Sequence, residues 1–298
     1  MLDLKFIREN PEAVAENCKN RGVDADVDLV VGLAEERSEL MQEVNDLRQG
    51  QNEMAKSVGK ERDPDKREGL IAESRRIKEQ IPEIEAQLAA VEGRLREEML
   101  KIPNMTHPDS PIGRDDTENV EIRHSGEPPA FDFNPKDHVE LGESLGIIDF
   151  EAGTKVAGSK FYFLRGDAVL LELGLVRYAL DKLIAHGYEP TITPDLARDE
   201  ALVGTGFIPR GPETQIYSIE DSDLSLVATA EITLAGSLAG DILDAADLPV
   251  RLAGLSHCFR TEAGSHGRAS RGLYRVHQFT KVEMFAFARP EDSEAIHD

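Results

Sequence analysis

Leu252-Ala253-Gly254-Leu255-Ser256-His257-Cys258-Phe259-Arg260-Thr261-Glu262 and, after a loop from Ala263 to Gly272, Leu273-Tyr274-Arg275-Val276-His277-Gln278-Phe279-Thr280-Lys281-Val282-Glu283-Met284-Phe285-Ala286-Phe287 form two β-prone runs. Side chains alternate between the two faces of a strand. In the second run, one face carries Val276, Val282, Met284 and Ala286 and suits a packed core. The other carries Arg275, His277, Phe279, Lys281 and Glu283. A row of charges around one aromatic ring makes a poor core. It matches a ligand that combines phosphate, a flat base and an ammonium group, because guanidinium, ring and carboxylate are their respective partners. Arg260 and Glu262 have the parity to point into the same space. The competing reading is a salt-laced, solvent-facing sheet. Gly204-Thr205-Gly206 runs into Phe207-Ile208-Pro209, so it is no dinucleotide turn, and no phosphate-cradling glycine loop followed by Lys-Ser/Thr is present. Any nucleotide is therefore expected on a sheet, held by side chains.

Upstream, Asp167 to His186 reads as an amphipathic helix with Val169, Leu170, Leu173, Val176, Leu180, Leu183 and Ile184 on one broad face and Gly187 as its stop. Tyr188 to Pro194 is extended, and its two prolines predict an edge strand or an interface. Residues 102–129 are broken by Pro103, Pro108, Pro111, Gly113, Gly126, Pro128 and Pro129 and read as an inter-domain connection. The histidines in and beside it, His107, His124 and His138, have no metal-ligand spacing.

Before that connection, core-type positions recur at alternating spacings of four and three. One series is Leu33, Arg37, Leu40, Val44, Leu47, Gln51, Met54, Val58, and the other is Leu70, Ser74, Ile77, Ile81, Ile84, Leu88, Val91, Leu95. Heptads sustained this long predict a coiled coil. The break Gly59 to Asp65 between them predicts an antiparallel hairpin about 45 Å long at ~1.5 Å per residue. Pro82, inside the second helix, predicts a local kink. Asn10-Pro11-Glu12 starts a shorter helix through Val14 and Cys18, expected at the base of the hairpin.

Composition narrows the function. The chain of 298 residues carries a formal charge of -23, which argues against a generally basic polyanion binder. Arg48 to Lys78 reverses that balance, with nine basic residues against six acidic ones. This far end of the hairpin is either a solvated, salt-bridged surface or a phosphate-contacting tip; a scaffold or dimerisation coil is the third option. The two cysteines, Cys18 and Cys258, are far apart, so neither a disulfide framework nor a metal site is expected, and a cytoplasmic location is. No apolar run is long enough to span a membrane and no secretory leader is visible.

Cys258-Phe259-Arg260-Thr261-Glu262-Ala263-Gly264, with Arg271-Gly272-Leu273-Tyr274-Arg275-Val276-His277-Gln278-Phe279-Thr280-Lys281-Val282-Glu283, resembles motif 2 of the seryl-tRNA synthetases. Val203-Gly204-Thr205-Gly206-Phe207-Ile208-Pro209 and Thr229-Ala230-Glu231 resemble two further signatures of that family. The helix before Gly187, with Pro194, is similar to its motif 1, and residues 1–104 resemble its tRNA-binding arm. The implied architecture is α+β. An antiparallel two-helix coiled-coil arm (1–104) and a linker (105–130) precede a class II synthetase domain (131–298), an antiparallel sheet flanked by helices that carries motifs 1 and 2 only.

The resemblance implies that Arg260 contacts the α-phosphate of ATP and is the catalytic residue, and that Thr261 and Glu262 belong to the ATP site with Glu262 at the adenine. It places Arg275 near the phosphates, Val276 at adenine through its backbone, and Phe279 stacked on the base. Thr229, Ala230, Glu231 and Glu283 are assigned to serine, Mg²⁺ to the phosphates, and no protein residue to a metal. The implied reaction joins serine to ATP as seryl-adenylate and transfers serine to tRNA(Ser), with tRNA(Sec) as a further candidate, in a homodimer. The loop reads Arg268-Ala269-Ser270-Arg271 where the family usually has Arg-Asp-Thr-Arg. Motif 3, with its γ-phosphate arginine, is expected beyond Asp298, so this chain alone is expected to show little adenylate formation. The alternative is a catalytically impaired fragment or paralogue that binds tRNA through the arm.

Overall fold

Heptad spacing becomes two long helices. The structure, a computed structural model, describes residues 2–207, 214–262 and 271–298. It divides into two units, Met1–Gly126 and Glu127–Asp298. In the first, α1 (Leu4–Glu9) and α2 (Pro11–Asn20) lead into α3 (Val27–Lys60) and α4 (Pro64–Lys101), which pack side by side. Every position of both heptad series is buried or half-buried, with Leu33, Val44, Val91 and Leu95 fully buried.

The seam positions that are not apolar include Arg37, whose Nε reaches across to Glu92 at 2.9 Å. The hairpin turn is shorter than expected. Helix α3 continues through Gly59 and Lys60, and Pro64 opens α4 as its first residue, where its missing N–H costs nothing. The Asp63 carboxylate caps the new helix by accepting from the backbone N–H groups of Asp65 and Lys66. Helix α4 runs unbroken through Pro82. At the base, Ile7, Val14 and Cys18 join Val27, Val30, Leu33, Val91, Leu95 and Met99 in one core. Residues 104–137 are exposed, with one short 3₁₀ turn at Asp116–Glu118.

The second unit begins with α5 (His138–Ser144), β1 (Ile148–Asp149), α6 (Phe150–Ala157), β2 (Phe163–Leu164) and α7 (Asp167–Ala185). There follow β3 (Glu189–Ile192), β4 (Leu196–Arg198), α8 (Asp199–Gly204), β5 (Leu224–Leu226) and α9 (Ala230–Gly236). Strands β6 (Val250–Phe259) and β7 (Gln278–Phe287) and the short α10 (Ser293–His297) complete it. The main sheet has the order β3-β6-β7. Strands β6 and β7 are antiparallel, and the proline-bearing β3 lies at the edge as expected, though parallel to β6. A long crossover rather than a hairpin connects those two, which permits the parallel pairing.

Two sequence expectations are corrected here. Strand β7 begins only at Gln278, because the chain turns through Gly272 to His277. Its expected core face is only partly covered: Met284 is 63% exposed. Helix α7 is likewise less embedded than its pattern suggests. Of the seven apolar positions on the predicted face, Val176, Leu180 and Leu183 are half-buried while Val169, Leu170, Leu173 and Ile184 are exposed. The sheet covers one side of the helix, whereas its apolar residues extend round to the other.

Candidate active site

The β6–β7 register decides which side chains meet. Gly254 pairs with Glu283, Ser256 with Lys281 and Cys258 with Phe279, so even positions of β6 share a face with odd positions of β7. Gly254 has a steric purpose. A Cβ there would lie 2.8 Å from Ala230 Cβ and Leu234 Cδ1, so its absence lets α9 settle directly on the sheet. That approach brings Thr229, the residue capping α9, to Glu283, its sheet neighbour: the Thr229 hydroxyl donates to Glu283 Oε2 at 2.5 Å. Lys281 Nζ donates to Thr229 Oγ1 at 3.0 Å and also pairs with Glu283. Glu231, in the first turn of α9, is part of the same electrostatic group. Burial raises its pKa first, the Glu283 charge raises it further, and Lys281 opposes both.

Beyond Phe259, the chain leaves the ladder but keeps its parity. The Arg260 guanidinium lies over the Phe279 ring at 5.2 Å, a cation–π contact, and its Nε donates to Ala228 O at 3.4 Å. The Arg260 backbone is held on both sides. Its N–H donates to His277 O at 2.9 Å, and its carbonyl accepts from His277 Nδ1 at 2.8 Å, which fixes the proton on Nδ1. Thr261 is tied to the irregular segment before β5, donating from Oγ1 to Thr214 O at 2.7 Å and from N to Gln215 O at 3.0 Å.

Glu262 has a left-handed backbone (φ +52°), rare for a residue with a side chain, and accepts from Arg275 at 3.1 Å. Gly272, also left-handed, is packed so that a Cβ would collide with the His138 ring at Nε2. That imidazole nitrogen accepts from Leu273 N at 2.9 Å. The result is a sheet face with a guanidinium and ring at one end and a hydroxyl, two carboxylates and an ammonium at the other. Phosphoryl chemistry on an amino acid needs groups of these types.

Residues 1–106 match the seryl-tRNA synthetase N-terminal domain, and residues 216–297 match the class II tRNA synthetase core domain (G, H, P, S and T). A serine–tRNA ligase of Rubrobacter xylanophilus is 69% identical over the whole chain, which spans 70% of that protein. The Treponema denticola serine–tRNA ligase is 50% identical over the whole chain and 71% of its own length. The chain belongs to the seryl-tRNA synthetase family. The fold agrees: the Pyrococcus horikoshii seryl-tRNA synthetase solved with ATP superposes with a TM-score of 0.84 at 38% identity, over the whole chain and 72% of that structure. The Naegleria fowleri cytoplasmic enzyme solved with AMP gives 0.78 at 30% identity, over the whole chain and 69% of its own.

Within this seryl-tRNA synthetase unit, the structure brings the residues singled out from sequence together in two groups: Arg260 with Phe279 and Glu262 with Arg275 at one end, Thr229 with Glu283 at the other. Val276 has a buried side chain. Ala230 turns its methyl group onto Gly254, so Thr229 and Glu231 supply the polar groups of that signature. Val203 to Phe207 form the end of α8 and the turn after it. Ile208 and Pro209, and the loop residues 263–270 with Arg268 and Ala269, lie outside the described residues.

The partners that hold these groups are harder to find from sequence. His277 falls on the polar face of the pattern with no evident role, and the part it plays is to clamp Arg260. Thr214 and Gln215, which anchor Thr261, lie far away along the chain and carry no signal of their own. Cys258, beneath the site, is fully buried, and burial pushes its thiol pKa up, so it remains a packed thiol.

Proposed function

We propose that the protein activates serine with ATP and passes the seryl group to tRNA(Ser), with tRNA(Sec) as a second acceptor. A serine carboxylate oxygen attacks the α-phosphorus, the bond to the β-phosphate oxygen breaks, and pyrophosphate leaves. A ribose hydroxyl at the tRNA 3′ end then attacks the acyl carbon and AMP departs. The observation that carries this reading is the common sheet face shared by Arg260, Phe279, Lys281 and Glu283, with Thr229 delivered to it by α9.

Arg260 is the group for the α-phosphate, where negative charge builds as the phosphorus becomes five-coordinate. In the structure it lies over Phe279, so nucleotide binding turns it towards phosphate and frees that ring face for the base. Glu262, held by Arg275, serves the adenine edge, with the Val276 backbone beside it. Thr261 fixes the local chain. Thr229, Glu231 and Glu283 take the serine ammonium and hydroxyl, both donors. Alanine, lacking the hydroxyl, would leave a buried acceptor unpaired.

Among the described residues, no group of three or more His, Cys, Asp or Glu side chains could hold a metal. Glu231 and Glu283 are taken by serine in this reading, which leaves Mg²⁺ to be ligated mainly by phosphate and water. When bound, it would neutralise phosphate charge.

Residues 1–104 would serve as the tRNA arm, 105–130 as linker and 131–298 as the catalytic domain. The basic tip supports the first assignment. Of its nine cations only Arg48 is ion-paired among the described residues, with Glu85 at 2.6 Å; the side-chain nitrogens of the other eight have no described carboxylate within 4.0 Å. A salt-bridged surface would have used them. The uncovered apolar side of α7 supports a homodimer. No described helix is long and apolar enough to cross a membrane. A cytoplasmic location accords with two unpaired cysteines.

Serine-dependent ATP–pyrophosphate exchange tests the reading. In a version of the protein that continues into motif 3, Arg260→Ala is expected to lower it by at least about 10²-fold, the usual cost of losing a preorganised charge partner. Exchange unchanged by the substitution would refute the assignment.

A further inference from the structure

The contacts around Thr229 leave no room for another donor. A threonine hydroxyl has one proton to give and two lone pairs to receive. Its proton goes to Glu283 Oε2. One lone pair accepts from Lys281 Nζ at 3.0 Å and the other from the Glu231 backbone N–H at 3.4 Å. The Glu231 N–H is fixed by the start of α9, so it stays. The Lys281 ammonium is different: it sits at the end of a flexible stem on β7, two residues from Glu283, and pairs with that carboxylate as well. An ammonium is thus already seated between Thr229 and Glu283.

From this geometry we propose that Lys281 is a tethered stand-in for the substrate ammonium, occupying its seat until serine displaces it. This rests on the assignment of Thr229 and Glu283 to serine. Both groups are –NH₃⁺ with three donors, so both satisfy the same hydroxyl and carboxylate, and they cannot do so together. The lysine also answers an electrostatic need. Thr229 is buried and Glu283 largely so, and an unpaired carboxylate beside Glu231 would be costly. The stand-in offsets one of the two carboxylate charges while the pocket is empty.

Displacement also filters ligands. An incoming amine must break an existing pair before it gains its own, so simple amines gain little. Serine offsets the loss through its hydroxyl and the rest of the site. When displaced, Lys281 has solvent to move into, since its side chain is 30% exposed. Lys281 is therefore a positioning residue that sets selectivity through occupancy.

Calorimetric titration of the whole chain with serine and with serinamide, which keeps the ammonium and hydroxyl but lacks the carboxylate, tests this. Lys281→Met should bind both at least about tenfold more tightly, a gain of about 1.4 kcal/mol, since a charge-assisted hydrogen bond no longer has to be broken. Serine weakened with serinamide unchanged would make Lys281 a carboxylate partner and overturn the proposal. Both unchanged or weaker would overturn it too.

A second readout uses the unaltered chain, so a misfolded variant would not blunt the test. The Lys281 Nζ–H signal in ¹⁵N NMR should be protected from exchange and lose that protection on saturation with serine; protection that persists refutes displacement. Thr229→Val separates the two levels. If it leaves serine affinity unchanged, the assignment of serine to this pocket has failed; if it weakens serine while the Lys281 tests fail, only the stand-in has.

Discussion

Burial and the neighbouring Glu283 both push the Glu231 carboxyl above the ordinary carboxylate range, and Lys281 pulls it partly back. On the proposed assignment of Glu231 to the serine ammonium, binding needs this carboxylate ionised. A raised pKa means that this charge is lost as pH falls while ordinary glutamates are still ionised. Serine affinity is therefore expected to decline on mild acidification, and Glu231→Gln to flatten that part of the profile at a lower overall affinity. Titration of serine across acidic pH, with and without the substitution, checks this; an identical slope in both would assign the titration elsewhere. Period-two alternation made much of this residue set legible, because alternation is a local property of any strand. It placed Phe279, Lys281 and Glu283 on one face and carried Arg260 and Glu262 into the same space. It did not reveal that Lys281 meets Thr229, a contact between residues 52 apart in sequence and made possible by Gly254. It also overstated the core at Met284, because alternation separates two faces without showing what covers either.

Heptad spacing carried further at the scale of elements. Every seam position read from sequence is at least half-buried, including Arg37, Gln51 and Ser74, which hydropathy alone would have rejected. A coiled coil is defined by local spacing and is only weakly disturbed by a polar residue able to reach across, as Arg37 does to Glu92. The turn was less legible. Gly59, Pro64 and five charged residues read as a break, but proline is a good first residue of a helix and only Glu61–Asp63 remain outside the two helices. At the tip, Arg75, Arg76 and Lys78 line one groove with Ala55, Val58, Ile71 and Pro82 or lie beside it. All three are exposed and without an ion-pair partner among the described residues. Neutralising Arg75 and Arg76 together is expected to weaken tRNA binding and to reduce the slope of log K against log salt by about one for each phosphate that is no longer neutralised. Filter binding over a salt series measures both quantities. Affinity indifferent to salt and to the two arginines would return the tip to an ordinary solvated surface.

For the whole molecule, the uncovered apolar surface of the second unit carries the strongest physical demand. Leu170, Leu171, Leu173, Leu175 and Tyr178 on α7 are each at least 60% exposed, and Ile192 on the adjoining edge strand is 83% exposed. Scattered exposed leucines need no explanation, but a continuous group on one helix beside an open strand edge does. Each such side chain offers about 1.5–3 kcal/mol on full burial, so the group as a whole can hold two copies together even after the entropy cost of association. The acidic chain, at -23, resists unspecific clustering, leaving a closed and specific pairing as the favoured use of this surface. The wild-type protein should therefore sediment as a dimer, and Leu171→Asp with Leu175→Asp should shift it to monomer by placing unpaired carboxylates in the contact. Both substitutions lie on exposed positions, so the fold of the unit should survive them, as its helical circular dichroism would show. A wild-type protein that is monomeric at micromolar concentration, or a double variant that remains dimeric, would move the pairing surface away from α7.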